Sequence, residues 1–168
     1  MAIRLYLGVL ISCIMVPVIG SCSKDFGRLN TTLRGINFHK VELDWIIIGF
    51  NENGFQKIFT ADDPRLCLRI RQSLLKAVGP LGPWDKWVAI IPAGILRLID
   101  LQSGKEWEIG VTQIGFFLDN ASTLGKAFTC KPLASIIEEI IGQSKLKNRL
   151  YVPEGLFQGL SGKKVEEF

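Results

Sequence analysis

The sequence predicts an α+β fold: an antiparallel β-sheet of about five to seven strands, in the order ββαββββα, with two amphipathic helices packed on one face. Three observations carry this. Polar and apolar residues alternate with period two over His39–Trp45 and again over Glu106–Thr112. Apolar residues recur at helical spacing in two separate stretches. Strand patterns follow one another in runs instead of alternating with helices, which disfavours a parallel βαβ sheet. An antiparallel sheet needs one covered face, and two apolar helix stripes supply the cover.

The first strand begins at His39 and alternates through Val41, Leu43 and Trp45; Ile46-Ile47-Ile48-Gly49-Phe50 is then apolar on both sides, so its far end should be covered on both faces. Asn51-Glu52-Asn53-Gly54 is turn chemistry, and Phe55–Thr60 is the return strand of a hairpin. Asp62-Asp63-Pro64 starts a helix, a capping carboxylate followed by a proline whose missing N–H costs nothing there. Leu66, Cys67, Ile70, Leu74 and Val78 form its apolar face over residues 63–78, until Gly79-Pro80 ends it. The other side carries Arg65, Arg69, Gln72 and Lys76, a basic stripe that is either a solvated face or a surface for anionic lipid or another polyanion.

After the Gly79–Pro83 loop, Trp84 and Trp87 flank Asp85-Lys86. They either lid the core or form a stacking platform for sugar rings or a partner peptide. Val88–Ile91 is strand-like until Pro92 and Gly94 interrupt it, as at a sheet edge or bulge. Ile95–Leu101 and Glu106–Thr112 form a second hairpin, with Trp107, Ile109 and Val111 on one side and Glu106, Glu108 and Thr112 on the other. Ile114–Leu118 and a short Lys126–Cys130 complete the strands. Pro132 opens the clearest helix, residues 132–142, with Leu133, Ile136, Ile137, Ile140 and Ile141 in register and Gly142 as its stop. Residues 143–168 are read as a C-terminal extension whose Leu156, Phe157 and Leu160 can pack back on the domain.

With 168 residues, 48% apolar and 21% charged, the chain has the balance of one globular domain able to bury a core. A net charge of +4 is too mild to imply a nucleic-acid partner. No internal repeat is visible, which disfavours solenoids and propellers.

The N-terminus has the three-part plan of a secretory signal: Arg4, an apolar run over Leu5–Ile19, then Gly20-Ser21-Cys22-Ser23. The run contains Pro17 and is shorter than the roughly 20 residues a membrane-spanning helix needs. Ile19-Gly20-Ser21-Cys22 resembles the lipobox of bacterial lipoproteins, in which an aliphatic residue and two small ones precede the cysteine that is lipidated. The resemblance covers the first two dozen residues and implies export, cleavage and a lipid on Cys22. Plain secretion after cleavage and an uncleaved anchor are the alternative readings of the same residues. The expected organisation is therefore a signal over 1–21, a polar tether over 22–35 beginning Ser23-Lys24-Asp25, a globular domain over 36–142 and the extension over 143–168.

Once Cys13 leaves with the signal and Cys22 takes lipid, Cys67 and Cys130 remain as a possible disulfide in an oxidising compartment; the alternative is two buried thiols. Neither has the spacing of a redox or zinc motif. His39, the sole histidine, rules out His-rich metal sites within one chain. No Gly-x-Ser-x-Gly elbow and no phosphate-binding glycine loop occurs. Glu42 with Asp44, and Glu106 with Glu108, each share a strand face in the pairing a glycosidase uses, although polar strand faces are ordinarily solvated.

No catalytic, metal or cofactor residue is therefore assigned. The expectation is a lipid-anchored, non-catalytic binding or assembly module of the bacterial envelope, held to the membrane by its N-terminal lipid and engaging an envelope protein or cell-wall polymer. An inhibitor or immunity-type protein acting on another exported enzyme is the first alternative, and a small envelope hydrolase the second. Trp84, Trp87, Arg65, Arg69 and Lys76 are the candidate interaction surface.

Overall fold

The structure, a computed structural model, describes residues 22–48, 54–79, 92–118 and 127–162, with side chains from Leu29 onward. The elements run α1 (Cys22–Gly35), β1 (Lys40–Ile47), β2 (Gly54–Ala61), α2 (Pro64–Leu74), β3 (Gly94–Ile99), β4 (Glu106–Thr112), β5 (Gly115–Leu118), β6 (Ala127–Phe128), α3 (Lys131–Gln143) and α4 (Leu156–Leu160). The six strands form one antiparallel sheet in the order β2-β1-β3-β4-β5-β6. This is the expected α+β fold, and the expected ββαββββα order lies intact between an additional helix at each end.

Strand register sorts the side chains into two faces, because directly opposed residues share a face. Val41, Leu43 and Trp45 align with Leu98, Leu96 and Gly94, which align in turn with Trp107, Ile109 and Val111. Phe116, Leu118 and Phe128 continue the row, and helix residues including Ile70, Leu74, Leu133, Ile137 and Ile140 cover it in one buried cluster. Gly94 belongs to this face because the Trp45 ring lies across it; a Cβ there would come within 2.2 Å of Trp45 Cε3. The other face carries Lys40, Glu42 and Asp44 of β1, Arg97 of β3, and Glu106 and Glu108 of β4.

Asp63 caps α2, its carboxylate accepting from the backbone N–H groups of Arg65 and Leu66. The helix ends at Leu74, earlier than expected. Val78 is consequently not on its buried stripe but is 65% exposed, pairing through its backbone with Thr129. α3 runs antiparallel to α2: the Cys130 thiol donates to Ser73 O at one end (3.1 Å), and Arg69 Nη2 meets Glu139 Oε2 further along (2.8 Å).

Two segments depart from the expected organisation. The stretch expected as a tether is the helix α1, whose Leu29 and Leu33, one turn apart, are buried with Ile36 and Phe38 just after them. Its polar composition made it look like a linker, but one apolar stripe is enough to hold a helix against a core. The segment after α3 is likewise integral to the fold. A 3-10 turn at Lys147–Arg149 leads Leu150 into a bridge with Ile47, and Leu156 and Leu160 of α4 are fully buried.

Candidate functional site

The two carboxylate pairs read from the sequence come together on the sheet face opposite the buried cluster, and Arg97 joins them. Glu42, Arg97 and Glu108 lie in one cross-strand row. Arg97 Nη1 is 2.6 Å from Asp44 Oδ2, and its Nε is 3.1 Å from both Glu106 Oε1 and Glu108 Oε1. Glu42, nearly buried, is held by Lys40 Nζ at 2.6 Å and Lys57 Nζ at 2.5 Å. Hydrogen bonds from Lys40 and Lys57 pull the Glu42 carboxyl below its ordinary range. Bonding to Glu108 raises the already strong base Arg97 further. A glycosidase acid needs the opposite shift, a carboxyl held protonated near neutrality, and Glu42 is driven away from that state. Ion pairs with Arg97, Lys40 and Lys57 hold the lattice together, and within it the buried Asp44 Oδ1 has no hydrogen-bond partner among the described residues.

His39 enters a second cluster. It stands just before β1, its N–H bonded to Ile99 O, with its Nδ1 2.9 Å from Asp100 Oδ1, at ion-pair distance but outside hydrogen-bond geometry. Asp100 also accepts from the Ser103 hydroxyl (2.6 Å) and the Gln102 N–H (3.0 Å), which lower its carboxyl, with a smaller contribution from His39. Serine, aspartate and histidine therefore meet, but the carboxylate sits in the middle. Nucleophile activation requires the imidazole there, so this order leaves the Ser103 hydroxyl donating to a carboxylate whose lowered pKa makes it a weak base for that proton.

Beside this cluster, between the start of β1 and the N-terminal half of α2, lies a groove of about 550 Å³ lined by Phe38, His39, Asp62, Cys67, Leu68, Arg71 and Leu101 among others. Its organising residue is Arg71. The guanidinium lies over the Phe38 ring, 5.6 Å from its centroid, and Nη2 donates to Asn37 Oδ1 (2.8 Å) and Phe38 O (3.3 Å). Nε has no acceptor among the described residues. Leu68 and Leu101, 52% and 60% exposed, stand at the rim. Cys67 is buried in the wall, and burial raises its thiol above the ordinary value, keeping it protonated. A half-buried cation laid over a buried aromatic ring, with apolar rims at Leu68 and Leu101, is suited to recognition, and among the described residues the groove presents no activated nucleophile.

Of the residues singled out from the sequence, Cys22 opens α1, and Trp84 and Trp87 lie outside the described residues. Cys67 and Cys130 are both buried free thiols in the structure, the second of the two readings open to them from the sequence. The basic stripe is divided: Arg69 is committed to Glu139, while Arg65 and Lys76 are exposed and make no ion pair among the described residues. No trio of His, Cys, Asp or Glu among the described residues could hold a metal, and no helix among them is long and apolar enough to cross a membrane. Sequence reasoning missed Arg97 and Arg71. Arg97 was detectable as a charge amid the apolar run Ile95–Ile99, opposite a glutamate-bearing strand; Arg71 had no comparable signal, since Phe38 and Asn37 precede β1 in a connecting segment.

Comparison with family models, with curated proteins and with solved structures gives no match to this chain.

Proposed function

We propose that this protein is a lipid-anchored binding module of the bacterial envelope, attached to the membrane through Cys22 and holding an envelope protein in the groove beside Arg71. The observation that carries the reading is the apolar run Leu5–Ile19, too short to span well, ending in Ile19-Gly20-Ser21-Cys22. The groove supports the second half: the exposed Leu68 and Leu101 offer a partner peptide apolar contacts beside the half-buried Arg71 guanidinium. Arginine is enriched among the residues that anchor protein interfaces.

Fractionation of cells carrying the wild type and Cys22→Ser tests the anchor. The wild type should sediment with membranes, and the variant should become soluble or accumulate as the unprocessed precursor. Normal processing with unchanged membrane attachment would reject lipidation. Arg71→Ala should abolish capture of the envelope partner without detaching the protein from the membrane; unchanged capture would remove the groove from the reading.

A further inference from the structure

We propose that the stretch just past the C-terminal end of α2, at Leu75, Lys76 and Val78, rests on an anionic bilayer surface, held there because α1 is a rigid mount and not a flexible tether. The inference rests on the reading of Cys22 as the point of membrane attachment and adds an orientation to it. Chain direction is its basis. At its C-terminal end α1 leads into Asn37, which accepts from Arg71 in the last turn of α2. Further back along α1, Leu29 packs beside Gly79, past the end of α2, where a Cβ on the glycine would lie 3.1 Å from Leu29 Cδ2. α1 and α2 are therefore antiparallel. Continuing the helix from Leu29 back to Cys22 carries the chain about 10 Å further in the same direction, at 1.5 Å per residue. The attachment point thus lies at the end of the molecule where α2 terminates.

What the domain displays at that end matches a membrane surface. Leu75 and Val78 are 52% and 65% exposed. Lys76 stands between them, and Lys131 follows the Val78–Thr129 bridge at the exposed start of α3. Apolar side chains interleaved with lysines are the chemistry of interfacial binding, burying into the headgroup boundary while the cations meet anionic lipid. A short helical mount with Leu29 and Leu33 locked into the core keeps this end facing the bilayer.

The test uses the full chain in its native membrane, with a photoreactive amino acid placed in turn at Leu75, Val78 and Leu101. Leu101, 60% exposed at the rim of the groove, is the control, since exposure alone predicts equal labelling at all three positions. Photolysis should attach phospholipid at positions 75 and 78 several-fold more than at 101. Equal lipid labelling at the three, or capture of protein instead of lipid at 75 and 78, overturns the orientation while the membrane fraction still reports the anchor. If the protein is absent from the membrane fraction, the anchor itself fails and the orientation falls with it.

Discussion

Glu42 lies between two ammonium groups and directly opposite Arg97, and its lowered carboxyl makes a pH prediction. The folded value lies below the ordinary 4.5, so the stabilisation is fully present above that value and is lost as pH falls through the lowered one. Glu42→Gln should cost about 1 kcal/mol near neutrality, a modest figure because Lys40 and Lys57 are partly exposed. It should also flatten the acid limb of the stability curve. Urea midpoints of both proteins from neutral to acidic pH check this, and parallel curves would remove Glu42 from the account. The thiols give a second residue-scale expectation. Burial raises both Cys67 and Cys130, and Cys130 is further occupied with Ser73 O. Both should resist alkylation in the native state and both should label in denatured, unreduced protein; two blocked thiols there would mean a bridge. Residue identities made Glu42, Asp44, Glu106 and Glu108 legible as strand-face carboxylates. That all four converge near Arg97 and two lysines depends on strand neighbours, which a single sequence does not specify.

Periodicity was sufficient wherever an element buries a regular stripe. β1 and β4 alternate cleanly, α2 is announced by Asp63-Pro64, and α3 by five aliphatics in register, so each stands within a few residues of its expected place. The end of α2 was misplaced because Val78 continues the helical spacing, although its backbone is drawn instead into a bridge with Thr129. α1 escaped because Gly27, Thr31, Thr32 and Gly35 are weak helix formers and its contact to the core rests on Leu29 and Leu33 with Ile36 just beyond. Tertiary burial overrides that propensity. Leu33→Ala therefore discriminates helix from tether: it should lower stability by about 2–4 kcal/mol, the usual cost of truncating a buried leucine, whereas a solvated tether would register almost nothing. Chemical denaturation measures the difference, and an unchanged midpoint would return residues 22–35 to the role of linker.

For the molecule as a whole, the question is whether residues 36–142 are self-sufficient. The chain after α3 supplies Leu150, Leu156 and Leu160 to the core, 8%, 1% and 0% exposed. It also bonds to the end of β1 through Ile48 N–H to Arg149 O and Tyr151 N–H to Ile46 O, and it gives the buried Trp45 indole its acceptor at Tyr151 O, 2.8 Å away. Burying three leucines contributes roughly 5–9 kcal/mol at about 1.5–3 each. A domain of this size has only about 5–15 kcal/mol of net stability. The loss is thus comparable to the whole margin, before the orphaned indole N–H is counted, so a chain stopped at Gln143 should lose cooperative unfolding. Its thermal transition by circular dichroism should be broad or absent, and Trp45, now partnerless, should shift its emission toward that of solvated indole. A sharp transition close to that of the full chain would show that the last segment is an appendage. The magnitudes favour the opposite: the closing segment locks the end of β1 and the core beneath it, and the domain extends from α1 to α4.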